Sequence, residues 1–206
     1  MTAVRPAPTT DRGRATLERI LGAAADLFYR QGIRATGLDQ IISASGTGKG
    51  QLYHYFAGKS DLVRAVVDRQ IELVIDAQRP VLEHAESWDD IDAWIDLLIS
   101  SHEAADDPFR CPIGSLAAEL AEGDVQTRAA LGAAFARWTG CIAQALRGLQ
   151  AAGAICDRAD CDALAGALLA AYQGGLVLSQ VRGDAGPLRA ALHAARDGVQ
   201  AQALAV

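Results

Sequence analysis

Between Thr36 and Leu62 the chain gathers residue types suited to holding a polyanion. Lys49, His54 and Lys59 carry or can acquire positive charge, Gln51 and Tyr53 end in hydrogen-bonding groups, and Gly50 has no side chain at all. Lys and His suit phosphate oxygens, whose attraction does not depend on base sequence. A Gln amide pairs one donor with one acceptor, the combination that matches the major-groove edge of adenine. A Tyr hydroxyl donates to phosphate, and its ring can lie on a thymine methyl. Gly50 lets a backbone come close to a groove floor. Thr36, Thr47 and Gly48 complete the candidate DNA-binding set, the two threonines as hydroxyl caps at helix starts. Together these types point to double-stranded DNA as the partner.

Such residues act only if helices aim them. Leu17, Ile20, Leu21, Ala24, Leu27 and Phe28 fall on one stripe of an amphipathic helix that Gly32 ends. Leu38, Ile41 and Ile42 repeat the pattern in a shorter helix closed by Gly46. Leu52, Tyr55 and Phe56 repeat it again, before Ala57-Gly58 breaks the chain. That stripe leaves Lys49, Gly50, Gln51, Tyr53 and His54 on the opposite side. A fourth helix is expected from Lys59 to near Gln78, ending before Pro80. Two short helices joined by a tight Gly turn have the layout of a helix-turn-helix. Further helical patterns cover 88–105, 113–121, 124–152, 160–181 and 187–199, with no strand alternation. The expected class is all-α with about nine helices. A flexible arm over 1–13 leads to a three-helix helix-turn-helix domain over 14–60. A larger helical domain for effector binding and dimerisation follows over 61–206.

Charge divides along the same line. The 206 residues carry a net charge of -6, yet residues 1–64 hold nine Lys+Arg against five Asp+Glu, or +4, and residues 65–206 hold ten against twenty, or -10. A basic head on an acidic body places the polyanion partner at the head. The four cysteines form no CxxC pair, and the histidines lack zinc spacing, so neither metal nor cofactor is expected. The N-terminus has no apolar signal segment, and reduced cysteines suit a cytoplasmic protein. Residues 163–181 are free of charge over nineteen positions, but Ala, Gly, Gln173, Ser179 and Gln180 make this a buried helix rather than a membrane span. An enzyme with a vestigial DNA reader is a distant alternative. There is no nucleophile–base set, and the GTGKG string at 46–50 lacks the spacing of a phosphate loop.

The string KGQLYHYFAGKSDL, with Lys49, Gly50, Leu52, Tyr53, Tyr55, Phe56, Lys59 and Leu62, resembles the N-terminal domain of the TetR/AcrR family of bacterial transcriptional regulators. The likeness covers about residues 14–64. RCPIGSLAAELA, over 110–121, resembles one C-terminal subtype of that family. The resemblance implies a homodimeric, all-helical repressor whose second and third helices read DNA. It also implies that two C-terminal helices pair across the dimer and that the larger domain binds a small effector. Gly48 stands where the family commonly has Ser or Thr, and Gln51 where it often has a smaller residue. Gly58 replaces a stronger cap at the fourth helix.

Two further sets of candidates lie in the larger half. Leu164, Leu168, Ala171, Gly175 and Leu178 form one face of the helix from about 160, and Leu188, Ala191, Leu192, Ala195 and Val199 one face of the last helix. A four-helix bundle between two copies would use them as the dimer interface. Trp94, Phe109, Cys111, Trp138, Cys141, Tyr172 and Gln173 are the candidates for an effector pocket. Few basic residues sit in these helices, so the unknown effector is expected to be small and mainly apolar, although Asp96, Glu103 and Glu119 leave a cation open. The expected mechanism is release of a palindromic operator when the effector shifts the fourth helix. A redox sensor built on Cys156 and Cys161 is the alternative within the same fold.

Overall fold

Thr10 sets the start of the first helix. Its hydroxyl accepts from the Gly13 amide at 3.1 Å, and α1 (Asp11–Gln31) begins at the next residue. The arm expected to reach residue 13 therefore gives way to helix earlier, because a hydroxyl cap and an acidic first turn favour the N-terminus there. The structure is a computed structural model, and it describes residues 8–105, 109–120 and 125–204. The beginning of the expected arm, residues 1–7, lies outside the described residues. Helices α2 (Leu38–Ser45), α3 (Lys49–Tyr55) and α4 (Lys59–Leu82) follow. Ile20, Ala24 and Phe28 of α1, Ile41 of α2, Leu52 of α3 and Leu62 of α4 all belong to the buried apolar set. Fully burying each large member contributes about 1.5–3 kcal/mol.

Helix α4 passes the proline that was expected to end it. Pro80 lacks the N–H that would reach Asp76, but the Glu83 amide still donates to the Arg79 carbonyl at 2.9 Å, so the helix completes its last turn at Leu82. One missing donor close to the C-terminal end costs less than one mid-helix, and the fixed φ of proline is itself helical. At the other end, the Asp61 carboxylate reaches back to accept from the Ala57 amide at 2.9 Å and ties the incoming chain to the first turn, while Gly58 leaves the first amides of α4 without a side-chain cap.

The remaining helices are α5 (Trp88–Glu103), α6 (Pro112–Leu120), α7 (Val125–Ala151), α8 (Cys161–Arg182) and α9 (Gly186–Leu204). All nine helices among the described residues are α-helices, with no strand, as the composition led one to expect. The chain divides into two compact units: Met1–Glu72 with Ser115–Ala134, and Leu73–Gly114 with Phe135–Val206. Ser87 and Asp90 form a capping box at the start of α5, whose bonds to Ser87 and Glu86 hold the Asp90 carboxyl below the usual range. Asp160 caps α8 through the Asp162 and Ala163 amides, and left-handed Gly183 ends it.

The packing of α8 on α9 corrects the expected dimer face. Leu164, Leu168, Gly175, Leu188 and Leu192 are buried inside one chain, where α8 and α9 pack on each other. Ala171 and Ala195 are half-buried, and of the named residues only Leu178 is exposed, at 59%. Gly175 explains the close approach: a Cβ there would stand 2.9 Å from Leu188 Cα. The Ser179 hydroxyl then accepts from the Leu188 amide at 2.9 Å. The apolar periodicity of the two helices was real, but each stripe is covered by its neighbour in the same chain. The exposed side of α8 instead carries Ala163, Ala167, Ala170, Gly174, Val177, Leu178 and Val181. By length and composition α8 is also apolar enough to cross a membrane.

Candidate nucleic-acid interface

Helix α3 is pinned from one side only. Leu52 is fully buried, Phe56 nearly so, and the half-buried Tyr55 donates its hydroxyl to the Gly13 carbonyl of α1 at 3.2 Å. Lys49, Gly50, Gln51, Tyr53 and His54 are all exposed, and Lys59 is half-buried at the start of α4. The spacing set the five α3 residues opposite the apolar stripe, and all five are exposed while Leu52 and Phe56 are buried. Left-handed Gly46, at φ 62°, ends α2 and makes the turn into α3 possible.

Gly50 makes no turn. Its backbone is helical, and a Cβ added to it would meet nothing within 4 Å. Gly costs about 1 kcal/mol against Ala inside a helix. Nothing within the chain requires that cost, as is also true of helical Gly22, Gly132 and Gly140, and the open space beside Gly50 leaves room for an external surface to approach.

Two expected contact residues prove to be internal, and a third, Gly48, has a structural role. Thr36 is 1% exposed; its hydroxyl donates to the Gly32 carbonyl at 2.7 Å and accepts from Gln31 Nε2 at 3.1 Å. It braces the turn before α2 and neither caps that helix nor reaches its surface. Thr47 is buried, with its hydroxyl 2.7 Å from that of Ser45. Gly48, not Thr47, is the N-cap of α3, and the Gln51 Oε1 accepts from its amide at 2.9 Å. Gln51 was expected to read a base edge with both ends of its amide. In this structure its oxygen already serves the helix, and Nε2 is the end left for an outside acceptor. The same half capping box recurs at α2, where Gln40 Oε1 accepts from the Gly37 amide at 2.7 Å. The repeated Gly-x-x-Gln, at 37–40 and 48–51, was the sequence signal for both caps.

The expected pocket residues separate into several environments within the second unit. Gln78 Oε1 accepts from both Trp94 Nε1, at 2.8 Å, and Trp138 Nε1, at 3.1 Å, while its Nε2 donates to the Val74 carbonyl. One cavity of about 180 Å³ is lined by Leu97, Leu98, His102, Cys111, Tyr172 and Trp138, among others. A second, of about 210 Å³, lies along Ile75, Leu82, Trp138 and Cys141. Both share Gln78 and Trp138. Trp94 is buried against Gln78 and lines neither cavity. Gln173 donates to Cys111 Sγ at 3.5 Å, and Phe109 is buried at a left-handed φ of 63°. Sequence reasoning missed Gln78 and His102. The imidazole Nε2 of His102 lies 2.6 Å from the Tyr172 hydroxyl. Burial lowers the His102 pKa, and burial with the nearby Cys111 pushes the Tyr172 phenol well above its usual value, so both are neutral. Asp96 and Glu103 are exposed and line neither cavity.

Comparison with known proteins identifies the family. The family described as bacterial regulatory proteins, tetR family, matches residues 20–66, and the C-terminal domain of LmrA/YxaF-like transcriptional regulators matches residues 88–194. The HTH-type transcriptional regulator LmrA of Bacillus subtilis is 31% identical over 176 residues, covering 83% of this chain and 89% of its own. An HTH-type transcriptional regulator in the lacX 3' region of Lactococcus lactis is likewise 31% identical over 176 residues, covering 83% and 86%. The crystal structure of a TetR transcriptional regulator from Chloroflexus aurantiacus superposes with a TM-score of 0.79 at 27% identity, covering 94% of this chain and 98% of that one. These relatives are regulators and not enzymes. The chain is a DNA-binding transcriptional regulator of the TetR family, and its larger domain is of the LmrA/YxaF-like kind.

Proposed function

We propose that the protein is a repressor that binds a palindromic operator as a homodimer and leaves it when a small, neutral, mainly apolar effector occupies the larger domain. The observation that carries the reading is the exposed edge of α3. There the open space beside Gly50 leaves room for an external surface, and Lys49, Tyr53 and His54 flank it. Two readers on one DNA face need half-sites about 34–36 Å apart, or a multiple of that, which a symmetric dimer supplies. The exposed apolar side of α8, with Val177, Leu178 and Val181, is the surface such a dimer would bury. That burial, rather than a bilayer, accounts for the apolar length of α8.

The effector reading rests on the cavity between α4, α5 and α8, bordered by Cys111 and Pro112 at the start of α6. No charged side chain lines it, and burial favours the neutral form of each of its titratable side chains, His102, Cys111 and Tyr172. A cation or anion would enter without a counter-charge. Lowering operator affinity ~100-fold needs about 2.7 kcal/mol of coupling, within reach of one buried ligand. The redox alternative draws less support, since Cys161 is buried, and burial raises its thiol pKa and disfavours the reactive thiolate.

The test of the reading face is the double substitution Lys49→Ala with Tyr53→Ala. It is expected to cut affinity for selected operator DNA at least 10-fold, with the unfolding midpoint held. Unchanged affinity would place the reading face elsewhere.

A further inference from the structure

The determinants of DNA binding described so far lie between Lys49 and Lys59, but the turn that leads into the reader is held from outside that sequence. Glu119, in the last turn of α6, reaches back 86 positions: its Oε2 accepts from the Ile33 amide at 2.7 Å and faces the Arg34 amide at 3.4 Å. The turn is shaped to receive it. Gly32 leaves α1 with φ 86°, and a Cβ there would stand 2.8 Å and 2.9 Å from the two carboxylate oxygens. The Gly32 amide donates to the Phe28 carbonyl, and the Gly32 carbonyl accepts from Thr36, so the turn is tied at both ends. Gly37, the next residue, is the N-cap of α2. An amide–carboxylate bond is charge-assisted and roughly twice as strong as a neutral one.

We propose that Glu119 is a positioning residue for DNA binding, its carboxylate clasping the 32–34 turn and so fixing where α2, and α3 behind it, stand. DNA-binding competence then depends on a side chain outside the helix-turn-helix sequence. Charge alone gives the opposite expectation. Removing a carboxylate makes the protein less acidic, and by bulk electrostatics that strengthens attraction to DNA. Weaker binding on loss of Glu119 is therefore a signature of positioning.

The test uses the full chain with Glu119→Ala and Glu119→Gln, the second keeping an oxygen acceptor without the charge. Amide exchange is measured across residues 32–36, and affinity is measured for the duplex that the parent enriches from a random-sequence pool. The expected result is exchange at least 10-fold faster in Glu119→Ala and intermediate in Glu119→Gln. Affinity should fall at least 10-fold and about 3-fold respectively, with the salt dependence unchanged because no phosphate contact is lost. Unchanged exchange would overturn the clasp. Faster exchange with equal or tighter binding would reduce Glu119 to a structural cap. Lys49→Ala with Tyr53→Ala separates the two readings, because it should lose affinity with exchange across 32–36 unaltered. A parent that enriches no duplex would overturn the positioning role together with the reading face.

Discussion

Gln51 holds two positions in the account, cap and reader, and its amide has one end for each. Its oxygen lies on the Gly48 amide, which leaves Nε2 to meet an acceptor such as guanine O6 or N7 or thymine O4. Gln51→Glu keeps the cap, since a carboxylate accepts from Gly48 at least as well, and sets a negative charge at the groove. The expected outcome is an unfolding midpoint within a few degrees of the parent and DNA affinity down at least 10-fold; unchanged affinity would remove Gln51 from the interface. His102 carries a pH prediction. Burial holds its folded pKa below the usual value, while the unfolded chain titrates near 6.5. As pH falls through about 6.5 the unfolded chain binds a proton that the folded one resists, so this group takes stability away on the acid side. Urea unfolding at pH 7.5 and pH 5.5 should show a larger loss for the parent than for His102→Gln; equal losses would contradict the neutral pair. The types and spacing of Lys49, Gly50, Tyr53 and His54 were readable from sequence because a 3.6-residue period sorts a short helix into faces. Thr36 and Thr47 misled because a hydroxyl suits a phosphate and a backbone carbonyl equally, and sequence does not say which is nearer.

At the scale of elements, α8 and α9 show how far periodicity reaches. It marked the apolar stripes of both helices but could not say whether a neighbour in the same chain or another copy covers them. Gly174 and Gly175, adjacent in sequence, now predict opposite behaviour. Gly175→Ala drives a Cβ into the α9 backbone and should cost about 1–3 kcal/mol in urea unfolding. Gly174→Ala meets nothing within 4 Å inside the chain and should gain up to about 1 kcal/mol from helix propensity when measured in the Val177→Glu with Val181→Glu background, where no partner covers α8. Equal effects at both sites would contradict the packing of α8 on α9. Pro80 is the other lesson at this scale. A proline was read as a stop because the bond it removes was weighed without its place, and near a C-terminal end the helix closes its final turn regardless. The class, the helix count and the helix-turn-helix were all recoverable from local pattern. The Glu119 contact with the 32–34 turn was not, because it joins residues far apart in sequence through one side chain.

At the scale of the molecule, the account requires two copies. The exposed side of α8 is small at its N-terminal end, with Ala163, Ala167 and Ala170, and bulkier at Val177, Leu178 and Val181. Val177→Glu with Val181→Glu should convert a dimer to a monomer in sedimentation, with helicity kept and operator affinity lost in parallel. A dimer that survives both charges would move the interface off this face. The central claim is that two α3 readers meet an inverted repeat. Its most direct measurement is selection of bound duplexes from a random-sequence pool by the parent, alongside the Lys49→Ala with Tyr53→Ala variant. The account predicts that the parent enriches an inverted repeat with half-sites about one helical turn apart, or a multiple of that, and that the variant does not. Enrichment of the same repeat by both proteins, or of no repeat by the parent, would contradict it.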